Sequence, residues 1–123
     1  MRYLTLLRAT SDPATPPPPE LMDAIMRLGE EAAGAGALLD FGGLMPSAAG
    51  ARLTLAGGDV AVTDGPFAES KEVISYALYE VSSRAEAVEW SSRFLRLHRD
   101  RWPGWTGEAR VLKVMGPEDF PPA

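Results

Sequence analysis

Residues 62–72 read VTDGPFAESKE and gather a carboxylate, a Gly-Pro pair, an aromatic ring and an alternation of Glu, Lys and Glu into one short stretch. Asp64 and Glu69 are carboxylates, and either could act as a general base if partial burial raised its proton affinity toward neutral pH. Lys71 would then stabilise a developing enolate or hold an acidic ligand. Arg52, ten residues upstream, can add a bidentate contact to an anion. Tyr3 and Tyr76 would supply hydroxyls and apolar walls if they project from neighbouring strands. Asp64 is therefore the candidate catalytic residue. The candidate ligand-binding set is Tyr3, Arg52, Asp64, Glu69, Lys71 and Tyr76, placed at the rim of a cleft between sheet and helices.

Turn chemistry explains part of the same run without any substrate. Asp64 can bond to the backbone two residues on, Gly65 tolerates positive φ, and Pro66 fixes the next φ. Phe67 is then expected to pin the turn to the core. Gly65, Pro66 and Phe67 thus form a structural motif, while the alternation of Glu69, Lys71 and Glu72 is either a functional rim or a solvated connector with local ion pairs.

Two further features carry chemistry-bearing residues. His98 is the only histidine; near the end of a helix and among arginines, it is expected to act as a cation that complements the helix dipole. Residues 93–105, RFLRLHRDRWPGW, join arginines to two tryptophans. They offer a contact surface for an acidic protein or nucleic acid, unless the tryptophans pack against the sheet edge and the arginines pair with the acidic surplus. The chain has no cysteine, which excludes disulfides, thiolate nucleophiles and cysteine-based metal sites. No phosphate loop, dinucleotide fingerprint or histidine-based metal spacing is present, so no metal and no organic cofactor is expected.

The elements that must position these residues follow from periodicity. The 123 residues fit one domain, residues 1–123, able to bury a core unaided. Residues 2–8 alternate as a strand, with Leu4 and Leu6 on one side and Tyr3, Thr5 and Leu7 on the other. Four prolines at 16–19 force an extended connector in which only Pro19 can open a helix. Leu21, Met22, Ile25, Leu28 and Ala32 then form a helical stripe, which Gly34 and Gly36 end by permitting a left-handed cap. A short strand follows and ends at Gly42 and Gly43. Residues 52–55 and 60–63 flank Gly57-Gly58 as a hairpin, and residues 73–81 read as the strongest strand. Ser83 and Glu86 form a capping box that opens a second helix, with Ala87, Trp90, Phe94 and Leu97 as its buried stripe. Residues 109–115 make the last strand.

This order, β-α-β-hairpin-β-α-β, predicts an α+β, ferredoxin-like sheet with an inserted hairpin and helices on one face. The other face, expected to carry Tyr76, Ile74 and Leu78 or their alternates, needs a cover, and a second copy of the chain is the simplest one. A homodimer is therefore expected. The formal net charge of −5 argues against general nucleic-acid binding. No apolar run is long enough for a membrane span and no signal peptide is visible, so a cytoplasmic protein is expected.

The signature VTDGPFAESKE, the opening RYLTLL strand, the proline-initiated helix, the hairpin and the capped SRAEAVEW helix together resemble the DGPF branch of the YCII-related family. The resemblance implies a dimeric α+β barrel of ferredoxin-like subunits. It also implies a candidate small-molecule site with isomerase- or hydrolase-like chemistry, because the wider group is similar to muconolactone-isomerase-type barrels and some members carry a His–Asp pair. The alternative it implies is a non-catalytic regulatory module with a protein partner in transcription, since members often occur beside sigma factors. Two departures stand out: Val73-Ile74-Ser75 replaces a glycine pair after the signature, and the final helix runs into RLHRDRWPGWTGE.

Overall fold

The computed structural model describes residues 1–12, 15–67 and 72–122. Strand β1 (Arg2–Ala9) leads to helix α1 (Pro19–Gly34), strand β2 (Leu38–Gly43) and the hairpin β3 (Ala51–Ala56) and β4 (Asp59–Asp64). Strand β5 (Val73–Glu80), helix α2 (Arg84–Arg101) and strand β6 (Gly107–Lys113) complete the order. Helix α1 opens on Pro19, whose missing N–H costs nothing in the first turn. It closes through Gly36 at φ 74°, with the Ala37 N–H donating back to the Ala32 carbonyl. At the start of α2 the Ser83 hydroxyl accepts from the Glu86 N–H at 3.1 Å. The Glu86 carboxylate reaches back to the N–H and hydroxyl of Ser82, one residue earlier than in a simple capping box.

Strands β1, β2, β5 and β6 form one antiparallel sheet in the order β2-β5-β1-β6. With two helices, this α+β arrangement is consistent with the expected ferredoxin-like fold. Pairs Tyr3–Tyr79, Thr5–Ala77 and Leu7–Ser75 lie on the helix-covered face. There the Tyr3, Tyr79 and Val81 side chains pack on Ala87 of α2, and Leu7 packs on Leu21 of α1. Leu4, Leu6, Tyr76, Leu78 and Leu112 alternate onto the opposite face, where Leu112 is 48% exposed. Ile74 departs from the expected placement on that face. A bulge pairs Leu7 with Ser75 but Arg8 with Val73, and the extra residue turns toward Leu7, Leu21 and the tryptophans.

The hairpin is a separate two-stranded sheet. Gly57 and Gly58, at φ 64° and 87°, make its turn. Its register aligns Leu53 with Val62 and Leu55 with Val60 on one face, and all four side chains are at least 60% exposed. Among the described residues, no helix is long and apolar enough to cross a membrane.

Candidate functional site

A cavity of about 500 Å³ lies between α1 and the covered face of the sheet. Leu21, Met22, Ile25, Met26 and Gly29 of α1 form its roof, Phe41 and Ala77 its sheet side, and Phe94, His98 and Trp102 its end at α2. Helix and sheet approach closely at Gly29, where a β-carbon would stand 3.2 Å from the Phe41 ring. Among the described residues, none that lines the cavity is charged. A space of this size and character suits a small molecule with a mainly apolar surface.

Most polar groups in the lining are already committed. The Trp102 indole N–H donates to the Thr15 carbonyl at 3.1 Å. The Tyr79 hydroxyl belongs to a buried network with Ser91, whose own hydroxyl meets Thr5 at 2.8 Å. Burial raises the Tyr79 pKa, with the Ser91 contact acting in the opposite direction. Two groups remain. Ser75 Oγ is buried and finds no hydrogen-bond partner among the described residues. His98 is 3% exposed, and its Nδ1 stands 3.0 Å from the Phe94 carbonyl. A carbonyl only accepts, so Nδ1 carries the proton and Nε2 is left as an acceptor in the neutral ring. Burial pushes the His98 pKa down, partly offset by that backbone bond.

This placement corrects the sequence expectation for His98. Instead of a solvated cation on the helix dipole, it is a neutral ring packed edge-on to Phe94 at 4.8 Å and against Trp105 at 4.6 Å. The reason is helical spacing: Ala87, Ser91 and His98 are the buried positions of α2, and they repeat at intervals that share one face. Trp102 and Trp105 are also buried, at 8% and 7% exposure. The exposed charged surface near 93–105 is therefore made by Arg96, Arg99, Asp100 and Arg101, without the tryptophans.

A family model for the YCII-related domain matches residues 1–94. The chain belongs to the YCII-related family. The match takes in the sheet from β1 to β5, the hairpin and the first part of α2; the stretch that holds His98 and both buried tryptophans follows it. No curated protein matches the chain.

Among the described residues of the signature in this YCII-related chain, 62–67 and 72, none lines the cavity. Asp64 ends β4 and is exposed. Arg52 sits on β3 with its guanidinium 4.6 Å from the centre of the Phe67 ring. Tyr3 is buried in the cluster with Tyr79 and Val81. Tyr76 borders the cavity, but its partners Leu6 and Gly42 put its side chain on the open sheet face. There its hydroxyl donates to Asp40 Oδ2 at 2.9 Å, which raises the Tyr76 pKa. Glu69 and Lys71 lie outside the described residues. The structure thus brings Arg52 and Phe67 together but does not gather Tyr3, Asp64 and Tyr76 at one site.

Local packing accounts for the structural half of the signature, in a different way than turn chemistry suggests. Gly65 does not have positive φ, and the peptide bond from Gly65 to Pro66 is cis. Gly65 is required for space: a β-carbon there would fall 1.7 Å from the Ser47 carbonyl oxygen. Its N–H donates to the Gly50 carbonyl at 3.0 Å. The Ser47 hydroxyl accepts from the Phe67 N–H at 3.1 Å and bonds to the Glu72 carboxylate, which also takes the Ser47 N–H. The Ser47 hydroxyl and then its N–H hold the Glu72 pKa below the usual carboxylate range. Glu72 is therefore a tie to the turn at Ser47–Ala49, not part of a solvated connector. Phe67, only half-buried, stands under Arg52 and outside both buried clusters, so it does not pin the turn to the core.

Sequence reasoning missed Ser75 and Ser47 altogether. Ser75 had a signal: it falls at an inward position of an alternating strand, where a hydroxyl must find a partner or a ligand.

Proposed function

We propose that this YCII-related protein binds a small, neutral, mainly apolar molecule in the cavity beneath α1. The observation that carries this reading is an apolar space of about 500 Å³ with no charged lining residue among those described and with Ser75 Oγ lacking a partner. A neutral ligand with one polar group can bond to Ser75 or to Nε2 of His98 and bury the rest of its surface. A carboxylate would lose its hydration there without a cation to replace it, which argues against the acidic ligand considered from the sequence. Among the described residues no hydrogen bond from a histidine activates Ser75, so binding is the function the geometry supports best, ahead of isomerase- or hydrolase-like catalysis. Membership of the DGPF branch, with its twofold-related barrel, belongs to the same proposal and rests on the signature and on the uncovered sheet face. A catalytic role for Asp64 would need a partner chain or the segment 68–71 to enclose it. The alternative of a regulatory module in transcription would have to use the arginines of α2 without the tryptophans.

Thermal shift and Trp102 fluorescence with paired ligands test the reading. Neutral aromatic alcohols and lactones should stabilise the protein in proportion to ln(1 + [L]/Kd), and the matching carboxylates should not. Ser75→Ala should weaken the best neutral ligand about 3- to 10-fold, the worth of one hydrogen bond. Equal binding of acids and neutral analogues, or no ligand that perturbs Trp102, would overturn the proposal.

A further inference from the structure

A second crevice, of about 230 Å³, lies in the seam between the two helices. Arg27 and Glu31 face it from α1, Arg93 and Arg101 from α2, over an apolar floor that includes Ala24 and Leu97. Helical spacing puts them there. Positions 24, 27 and 31 share one side of α1, and positions 93, 97 and 101, each four apart, share one side of α2.

Three guanidiniums and one carboxylate give the crevice an excess of two positive charges, on a chain whose formal charge is −5. The single carboxylate is spoken for. Glu31 is ion-paired with Arg93, which lowers the Glu31 pKa and raises that of Arg93. Arg93 is further held by the Trp90 ring, 4.9 Å from its guanidinium carbon. Arg27 and Arg101 have no such partner: no carboxylate among the described residues stands within 4 Å of either. Asp100, beside Arg101 in sequence, is engaged by Arg99 at 2.8 Å.

We infer that this crevice binds a small dianion of the phosphate or phosphomonoester class, held between Arg27 and Arg101. Guanidinium presents paired N–H donors that match the oxygens of a phosphoryl group. A dianion would also offset the crevice's excess of two positive charges, which Asp100 relieves only from beyond ion-pair distance of Arg101. The volume admits one phosphoryl group with some bound water, given about 30 Å³ per water. It is too small for a strand of nucleic acid, and the acidic remainder of the surface repels a polyanion. The site is independent of the apolar cavity and would stand if no ligand bound there.

The test uses the full chain exchanged into phosphate-free buffer of low ionic strength. Inorganic phosphate and phenyl phosphate are titrated separately while the arginine Nε–H resonances are followed, with sodium chloride at matched ionic strength as reference. Saturable shifts confined to Arg27, Arg101 and Arg93 are expected. Arg27→Met and Arg101→Met should each weaken binding at least tenfold without lowering the melting temperature in chloride. Arg96→Met, whose native partner is Glu89, should bind as the wild type does. Tighter binding of phenyl phosphate would identify an ester as the natural class, and tighter binding of inorganic phosphate the free anion. A response no different from that of chloride, or unchanged affinity in Arg27→Met and Arg101→Met, would refute the site.

Discussion

Replacing His98 by phenylalanine should remove a component of acid sensitivity that the wild-type protein shows between pH 7.5 and 5.5. The imidazole is 3% exposed and lies between the Phe94 and Trp105 rings. The Phe94 carbonyl, 3.0 Å from Nδ1, acts in the opposite direction by favouring the protonated ring. Burial is the larger influence and pushes its pKa below the ordinary value. In the unfolded chain the ring takes up a proton near pH 6.5. Below that pH the unfolded state binds more protons than the folded one, so stability is lost as pH falls toward the folded pKa and is fully present above about 6.5. One proton gives a limiting slope of about 1.4 kcal/mol per pH unit, so the wild type should lose up to about 1.4 kcal/mol by pH 5.5. Glu31, Glu72, Glu86, Asp100 and Asp119 all have lowered pKa values. Their contributions are present above their ordinary values near 4 and vanish below them, so they fall outside this window. Phenylalanine keeps an aromatic ring between Phe94 and Trp105 but cannot titrate. Urea unfolding of both proteins at pH 7.5, 6.5 and 5.5 measures the difference. Parallel pH dependence, or a wild type that gains stability on acidification, would show that His98 is not held neutral by burial.

Gly65→Ala should destabilise the protein by about 1 to 3 kcal/mol in urea unfolding, because the new methyl meets the Ser47 carbonyl and no rotamer change can relieve it. Gly34→Ala, where nothing lies within 4 Å, should leave stability unchanged or slightly raised, which separates the steric effect from loss of glycine flexibility. Sedimentation should find a homodimer, with Leu53→Lys combined with Val62→Lys shifting it to monomer. A monomeric wild type would refute the twofold cover proposed for the open sheet face, and a dimer that survives both substitutions would exclude the exposed hairpin from it.

How much of this was legible in the sequence depends on the range of the interaction involved. Local signals were dependable: Pro19 opened α1, Gly36 closed it, Gly57-Gly58 turned the hairpin, and Ser83 capped α2. Strict alternation placed Tyr3, Thr5 and Leu7 on one face and Leu4 and Leu6 on the other. The failures arose where one residue's role depends on a distant backbone. Gly65 looks like a turn glycine, and only the approach of the Ser47 carbonyl, far back in the chain, shows that it is there for space. Ile74 follows the strand pattern, and a single bulge reverses its side.

The candidate site was harder to read because the signature and the cavity draw on different physics. VTDGPFAESKE catches the eye through charge and turn residues, which are conspicuous against apolar surroundings. The cavity consists of residues that read as ordinary core, and its polar groups, Ser75 and His98, are isolated in sequence. His98 was misjudged because its flanking arginines suggested a wet helix end, while spacing from Ala87 and Ser91 assigned it to the buried face. When periodicity and local composition disagree about a polar residue on a helix, burial follows periodicity, because side-chain direction is fixed by the 3.6-residue repeat. The neighbours can then keep their charges in water while the ring between them does not.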